Sequence, residues 1–131
     1  MSDKHDYGPF TGKLSTDPKE RKEQPIATGF FDYFPDAIAE VANVSFVGNN
    51  QHNPGQPMHW AKEKSSDHAN CIARHLIERG TRDTDKLRHS AKLAWRALAL
   101  LQIEIETEKR MATRSPTEVV ERLSGYPSYP S

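Results

Sequence analysis

The fold is decided by the stretch from Asp85 to Arg110, which reads DKLRHSAKLAWRALALLQIEIETEKR. Apolar residues recur in it at spacings of 4, 3, 4, 3 and 4, at Leu87, Ala91, Ala94, Leu98, Leu101 and Ile105. This is the period of one face of an α-helix, so the stretch predicts a long amphipathic helix. From Trp95 to Ile105 the sequence is apolar nearly all round, which predicts deep burial or a subunit interface.

Two shorter helices are predicted upstream. The first begins at Pro35, a residue suited to the first turn of a helix, and is expected to stop at Gly48. The second runs from about Ser66 to Arg79, and its apolar face is formed by Ala69, Ile72, Ala73, Leu76 and Ile77. Because no period-two strand pattern occurs, we predict an all-α fold. It is a small helical bundle of three main helices plus a short extra helix, completed by oligomerisation, with flexible N- and C-terminal tails.

The chain is expected to divide into a helical domain and two tails. Residues 1–24 are polar and predict a flexible tail, and residues 25–110 hold the helical domain. Residues 111–131 carry a last short helix, Pro116 to Leu123 with Ser115 as its cap, followed by a flexible tail.

Charge and cysteine content limit the class of protein. Lys plus Arg and Asp plus Glu both number 18, so the net charge is zero, which argues against binding a nucleic acid polymer or a membrane surface. The single cysteine excludes an intrachain disulfide and fits a reducing cytoplasm. No apolar run has the length of a membrane span. We therefore expect a cytoplasmic protein.

The loop from Gly48 to Trp60 reads GNNQHNPGQPMHW and contains no Lys, Arg, Asp or Glu. It combines neutral hydrogen-bonding groups with an aromatic ring, which suits recognition of a nucleobase. Its candidate nucleotide-binding residues are Asn49, Gln51, His52, Asn53, His59 and Trp60. The alternative is a stiff connector between two helices, with a shape fixed by its Pro and Gly residues.

Four oxygen-bearing residues are candidate metal ligands. Asp36 and Glu40 share one face of the first helix, while Asp67 and Asn70 open the second. Carboxylates on neighbouring helices can hold Mg²⁺ or Mn²⁺, which often bridge to substrate phosphates. The alternative for an acidic pair spaced i, i+4 is a solvated helix face.

Histidines and basic residues supply the remaining candidates. His68, His75 and His89 border the apolar faces of two helices and together are candidates for a site. Lys92 and Arg96 lie one turn apart and could bind triphosphate oxygens. The alternatives are boundary histidines and a solvated basic face. Taken together, the loop, the carboxylates and the basic stripe are what a nucleotide pyrophosphohydrolase needs.

Four segments resemble a family common in phages and bacteria, the dATP/dGTP diphosphohydrolases (N-terminal domain type). They are Phe31 to Ala42 (FDYFPDAIAEVA), the Gly48–Trp60 loop, Arg74-His75-Leu76, and His89 to Leu101 (HSAKLAWRALALL). The family is similar to the MazG-like all-α nucleotide pyrophosphohydrolases. The resemblance spans about residues 25–106 and implies a Mg²⁺- or Mn²⁺-dependent homo-oligomeric enzyme. Its expected reaction is cleavage of a purine (deoxy)nucleoside triphosphate to monophosphate and pyrophosphate.

By position, the resemblance implies that Asp36 and Glu40 are the acids of the first helix and that His75 and His89 are recurrent histidines, which makes these two the candidates for acid/base catalysis. Some residues depart from the pattern. Asn70 stands where relatives often have Asp, and Lys92 stands where some have a second His. The Glu-Glu-x-x-Glu pattern of MazG-like enzymes is absent. These departures keep a second hypothesis open, a non-catalytic helical nucleotide-binding or protein-interaction module. A third and weaker one is an HD-type triphosphohydrolase, for which the adjacent His-Asp pair is missing.

Overall fold

The computed structural model describes residues 8, 10, 12–64 and 66–112, and every regular element among them is helical. The all-α class is thereby confirmed. The elements are α1 (Pro18–Lys22), a π-helical turn (Ala27–Phe31), α2 (Pro35–His52), a 3₁₀ turn (Lys62–Lys64), α3 (His68–Ile77) and α4 (His89–Ala112). The helix expected from Pro116 to Leu123 lies outside the described residues. In the described part, no helix combines the length and hydropathy that a membrane span requires.

The chain forms two compact units that divide between Pro35 and Asp36. In the first, α1 lies within the segment for which the sequence predicts a flexible tail. Asp17 caps α1 by accepting a hydrogen bond from the Glu20 amide at 3.1 Å. The Gln24 side chain then accepts from the Ser15 amide at 3.0 Å and donates to the Lys13 carbonyl at 2.7 Å. These bonds give the segment a defined local structure.

Helix α2 in the second unit is longer than the sequence indicated. It continues through Gly48, where the sequence predicted its end, and stops only at His52. Gly48 lacks the left-handed backbone of a helix-ending glycine. The change of direction comes at Asn53-Pro54-Gly55-Gln56, where the Gln56 amide donates to the Asn53 carbonyl at 3.0 Å. Gly55 has a φ of 76°, the left-handed backbone that the third position of a type II turn requires, and Pro54 is favoured at the second position of such a turn.

Helices α3 and α4 form an antiparallel hairpin joined by residues 78–88. Helix α4 begins at His89, four residues after the predicted start at Asp85, because the preceding residues form a tight turn instead. In that turn Lys86 has a φ of 71°, and the Asp83 amide donates to the Leu87 carbonyl at 2.8 Å. The hairpin brings the end of α3 beside the start of α4.

Helix α2 reaches α4 through two polar contacts. The Arg88 Nε lies 3.0 Å from the Glu40 carboxylate, just before α4 begins. Further along both helices, the Trp95 indole N–H donates to the Ser45 hydroxyl at 2.8 Å. Since the order of the contacts is the same on both segments, α2 and α4 run in the same sense.

The side chains that face inward differ from those that the sequence predicted. Among the described residues, the buried apolar side chains are Ala91 and Ala99 alone, and the buried polar ones include His68 and His89. Much of the predicted apolar face of α3 is exposed, with Leu76 at 50% and Ile77 at 78%. Leu98 and Leu101 of α4 are also exposed, at 46% and 52%. Histidines therefore line the α3–α4 contact, and the apolar face lies on its outside.

Candidate functional site

Two pairs of side chains cross between α3 and α4. His75 contacts His89 near the turn, and His68 contacts Arg96 further from it. Seven residues separate the members on each helix, which is nearly two helical turns, so both pairs lie on the facing surfaces. The hairpin thus brings the two predicted catalytic histidines together and puts the predicted phosphate-binding Arg96 on the same surface.

The His75–His89 pair has a defined geometry. The two Nδ1 atoms lie 3.0 Å apart, and the rings are tilted by 35° with their centroids 5.2 Å apart. His89 is buried, and its Nε2 lies 3.6 Å from the Glu78 carboxylate. The pKa of His75 is lowered, first by burial and then by electrostatic interactions with His89 and Lys92 that oppose a positive charge on His75. His75 is therefore held in the neutral state that a proton acceptor needs.

This pKa shift predicts how stability depends on pH. The unfolded state binds the His75 proton more tightly than the folded state, so stability rises with pH in the window just below the ordinary pKa of 6.5. The contribution of His75 is complete above pH 6.5 and is lost as the pH falls through the lower folded-state pKa. Urea denaturation of the wild type and of His75→Gln across this window measures it. An equal pH slope in both proteins would contradict the assignment.

Lys92 is engaged in ion pairs. Its Nζ lies 2.7 Å from Asp83 and 2.8 Å from Asp85, both in the turn before α4. The Lys92 hydrogen bond is the largest cause of the lowered pKa of both carboxyls, which reaches about 2 for Asp83. In this state the charge of Lys92 is compensated, and it holds the turn against α4.

Arg96 lies beside the aromatic residues of the site. One guanidinium nitrogen is 3.2 Å from the His68 Nδ1, and its central carbon is 5.8 Å from the centre of the Trp95 ring. The buried His68 belongs to the set of histidines singled out from the sequence. A phosphate bound by Arg96 would therefore lie on the surface that carries the His75–His89 pair.

Asn49 fixes the shape of the loop that follows α2. It is buried, and its Nδ2 donates to the Gln56 carbonyl at 3.0 Å. Its Oδ1 accepts from the His59 amide at 3.1 Å and from the Asn53 side chain at 3.3 Å. One side-chain amide group thus bonds to three separate positions along the loop. Asn49, predicted to contact a nucleotide, uses its side chain to hold the loop together.

Trp60 anchors the far end of the loop. Its ring packs edge to face on Trp95, with centroids 5.5 Å apart and an interplanar angle of 72°. The Lys62 ammonium lies 5.0 Å from the centre of the Trp60 ring and pairs with Glu106 at 2.7 Å. The buried Trp60 indole N–H has no hydrogen-bond partner among the described residues. The half-buried ring is therefore engaged by Trp95 and Lys62 rather than presented as an open stacking surface.

The remaining loop candidates are more accessible. Gln51 and His52 lie in the last turn of α2, rather than in the loop where the sequence put them, and both are exposed. The His59 side chain is exposed, although its amide is bound to Asn49. These three side chains are free to meet a ligand at the loop surface.

The four predicted metal ligands do not form one cluster. Asp36 is exposed in the first turn of α2, and Glu40 is paired with Arg88. Asp67 accepts a hydrogen bond from Asn70 at 2.8 Å and lies 3.8 Å from Arg74. Across residues 12–64 and 66–112, no group of three or more His, Cys, Asp or Glu side chains is arranged to hold a metal ion.

Sequence reasoning missed the residues that orient this site. Glu78 faces His89, Arg88 holds Glu40, and Ser45 holds Trp95. The sequence did carry a signal for the two pairs that cross from α3 to α4. His68 and His75 have the same spacing as His89 and Arg96, so each pair of residues lies on one face of its helix. No comparable spacing marks Glu78, which lies in the turn after α3.

Comparison with known proteins identifies one family. Residues 16–114 match the family model described as dATP/dGTP diphosphohydrolase, N-terminal. This span includes all four helices and the loop clamped by Asn49. No curated protein and no solved structure matches the chain.

Proposed function

This chain belongs to the dATP/dGTP diphosphohydrolase, N-terminal, family, and from that premise we propose that it hydrolyses a purine (deoxy)nucleoside triphosphate, with dGTP and dATP as the preferred substrates. The products are the nucleoside monophosphate and pyrophosphate. The family match over residues 16–114 is the observation that carries this proposal. Because the substrate is an intracellular metabolite, the proposal assigns the protein to the cytoplasm of a bacterial or phage-infected cell.

The α3–α4 surface supplies groups suited to this chemistry. The His75–His89 pair handles a proton, and Arg96 offers a guanidinium to the phosphates. Lys92 supports the surface through Asp83 and Asp85 and reaches phosphate only if those pairs open. The exposed Gln51, His52 and His59 side chains are the proposed contacts to base or sugar. Asn49, Asn53 and Trp60 serve the same step by fixing the loop.

We propose Mg²⁺ or Mn²⁺ as the cofactor, bound with the triphosphate. The described residues offer no group of three ligands, and such ions commonly use one or two carboxylates together with substrate phosphates. Asp36, or Asp67 with the neighbouring Asn70, would supply the one or two protein ligands, and Glu40 would become available on release from Arg88. When bound, the ion neutralises phosphate charge and so favours attack by water.

Product analysis tests the proposal. We expect the purified chain to convert dGTP and dATP to monophosphate and pyrophosphate with Mg²⁺ or Mn²⁺, and a chelator to stop the reaction. Ion-exchange chromatography and ³¹P NMR identify the products. Release of inorganic triphosphate would indicate a different hydrolase class. Absence of turnover on every nucleoside triphosphate would contradict the proposal.

Among the described residues, no three side chains are arranged to hold a metal ion, which favours a second candidate, a non-catalytic nucleotide-binding or protein-interaction module. Calorimetric binding of dGTP without product formation would support the binding module. Absence of both binding and turnover would support a protein-interaction role instead.

We also propose that the protein is a homo-oligomer, because exposed large apolar residues outnumber buried apolar ones in the part of the chain that the structure describes. Ile77 is 78% exposed and Leu76 is 50% exposed on the outside of the α3–α4 hairpin. A second copy of this neutral chain covers such a face without charge repulsion.

Replacing Ile77 tests the assembly. Light scattering after size exclusion should show a lower mass for Ile77→Glu, since a carboxylate cannot be buried unpaired in an interface. Ile77→Leu, which keeps the apolar area, should retain the wild-type mass. An unchanged mass in a folded Ile77→Glu protein would exclude this face from the interface.

A further inference from the structure

Three side chains follow one another in a chain of two contacts at the turn between α3 and α4. The Glu78 carboxylate lies 3.6 Å from Nε2 of His89, and Nδ1 of His89 lies 3.0 Å from Nδ1 of His75. His89, in the middle, is buried with 6% of its side chain exposed, whereas Glu78 at one end is 56% exposed. His75, at the other end, is partly exposed. The two contacts therefore run from a solvated carboxylate through a buried imidazole to an accessible one.

The ring geometry identifies what the two histidines share. The two Nδ1 atoms are 3.0 Å apart and the two ring centroids are 5.2 Å apart. The centroid distance therefore exceeds the nitrogen distance by almost twice the distance from a ring centroid to its nitrogen, which is the largest excess possible. The two Nδ1 atoms consequently face each other nearly head-on. Two nitrogens on one metal ion would need lone pairs that converge at an angle, and a head-on pair leaves no room for an ion. A single shared proton satisfies both nitrogens, one as donor and the other as acceptor.

We propose that Glu78 and His89 are positioning residues that set the tautomer of His75 and leave its Nε2 unprotonated as the general base. The Glu78 carboxylate favours a proton on the nearer nitrogen of His89, Nε2. The Nδ1 of His89 then carries a lone pair and accepts the proton that His75 holds on its own Nδ1. His75 Nε2 is thereby left with a free lone pair. This inference rests on the proposed function for its chemical step.

The charges around the pair are consistent with a neutral His75. The charges of Lys92 and Arg96 on α4 disfavour a positive charge on His75, and the charge of Asp83 in the turn before α4 partly offsets them. Asp83 and Asp85 are themselves paired with Lys92. Glu78, in the turn after α3, is the carboxylate that faces His89 Nε2. Protonation of His75 at Nε2 leaves its Nδ1 proton in the hydrogen bond to His89, so the pair stays intact in the charged state.

The proton balance of the reaction follows. A water oxygen forms a bond to the α-phosphorus as one of its protons moves to His75 Nε2. The bond from the α-phosphorus to the bridging oxygen breaks, and pyrophosphate leaves with the electron pair. His75 becomes an imidazolium, which Glu78 stabilises through His89, and it returns the proton to solvent or to the leaving pyrophosphate.

NMR tests the tautomers without reference to turnover. In protein labelled with ¹⁵N-histidine at pH 7.5, long-range ¹H–¹⁵N correlation separates protonated from unprotonated ring nitrogens. We expect His75 to carry its proton on Nδ1 and His89 on Nε2. In Glu78→Gln the fraction of His75 protonated on Nε2 and the fraction of His89 protonated on Nδ1 should both rise. Glu104→Gln, which replaces an exposed glutamate of α4, should leave both fractions unchanged. A wild-type His75 protonated on Nε2, or tautomers insensitive to Glu78→Gln, would overturn the relay.

Kinetics tests the role of the relay in the proposed reaction. Glu78→Gln should lower kcat about tenfold with KM unchanged, a smaller loss than removal of the base itself. The acid limb of kcat/KM should move to lower pH, because a negative charge that favours the protonated pair is gone, and Glu78→Asp should restore part of both. Equal pH profiles for Glu78→Gln and the wild type would overturn the relay. The expected tautomers without any turnover would support the relay geometry and count against hydrolysis, so the two failures are distinguishable.

Discussion

His75→Gln should lower kcat for hydrolysis about 100-fold or more, because it removes the group proposed to accept the proton of the attacking water. KM should change little, since the proposed contacts to base and phosphate come from the loop and from Arg96. Glutamine has a similar length and can still bond to His89, so the α3–α4 hairpin should remain folded. Steady-state kinetics with dGTP, together with circular dichroism, measures both properties.

His52→Gln is the matched control for His75→Gln. His52 is exposed at the end of α2. Its replacement should at most raise KM, and kcat should stay near the wild-type value. If His75→Gln kept the wild-type kcat, the base would have to be another residue. If both variants lost kcat equally, the effect would not be specific to the α3–α4 surface.

Periodicity predicted the helices better than their ends. The long run in α4 spans several turns, so a few exceptions do not hide its period, and the predicted end at Arg110 falls two residues from the observed end at Ala112. Gly48 predicted the end of a helix that in fact continues, because α2 runs on until the Asn53–Gln56 turn redirects the chain. A glycine marks where a helix can end, and tertiary contacts decide whether it does.

The same reasoning put the wrong face of α3 inward. Ala73, Leu76 and Ile77 form an apolar stripe, which a sequence pattern assigns to the core of its own chain. In the structure these residues are exposed, and His68 and His75 face α4. Periodicity identifies an apolar face but cannot say which chain covers it. The polar face is inside because its cross-helix partners satisfy it, and that pairing depends on the register of the hairpin.

The candidate site was predictable in residue type and less so in role. His75 and His89 were singled out together, and the structure joins them. Lys92 and Asn49 were expected to contact a nucleotide, yet both make strong contacts within the chain. Composition shows which groups can bind a ligand. It cannot show that a neighbour in space has already bound them, since those neighbours lie in segments whose turns the sequence left undefined.

Asn49→Ala should lower the free energy of unfolding by about 2 kcal/mol, because it removes three part-buried hydrogen bonds and takes the Asn49 partner away from the Gln56 carbonyl and the His59 amide. Asn50→Ala is the matched control. Asn50 is the next residue in the same helix and is exposed, so its replacement brings the same gain in helix propensity without the loss of contacts. The difference between the two variants therefore isolates what the Asn49 side chain contributes. Urea denaturation measures it.

The same pair of variants separates a loop clamp from a direct ligand contact. If Asn49 clamps the loop, Asn49→Ala should raise KM on the order of tenfold together with the loss of stability, because the substrate must then order the loop itself. Asn49→Asp keeps the acceptor for the His59 amide but loses the donor to the Gln56 carbonyl, so both effects should be intermediate. A folded Asn49→Ala protein with unchanged stability and a raised KM would contradict the clamp. That result would support the direct contact between Asn49 and the nucleotide that the loop sequence first indicated.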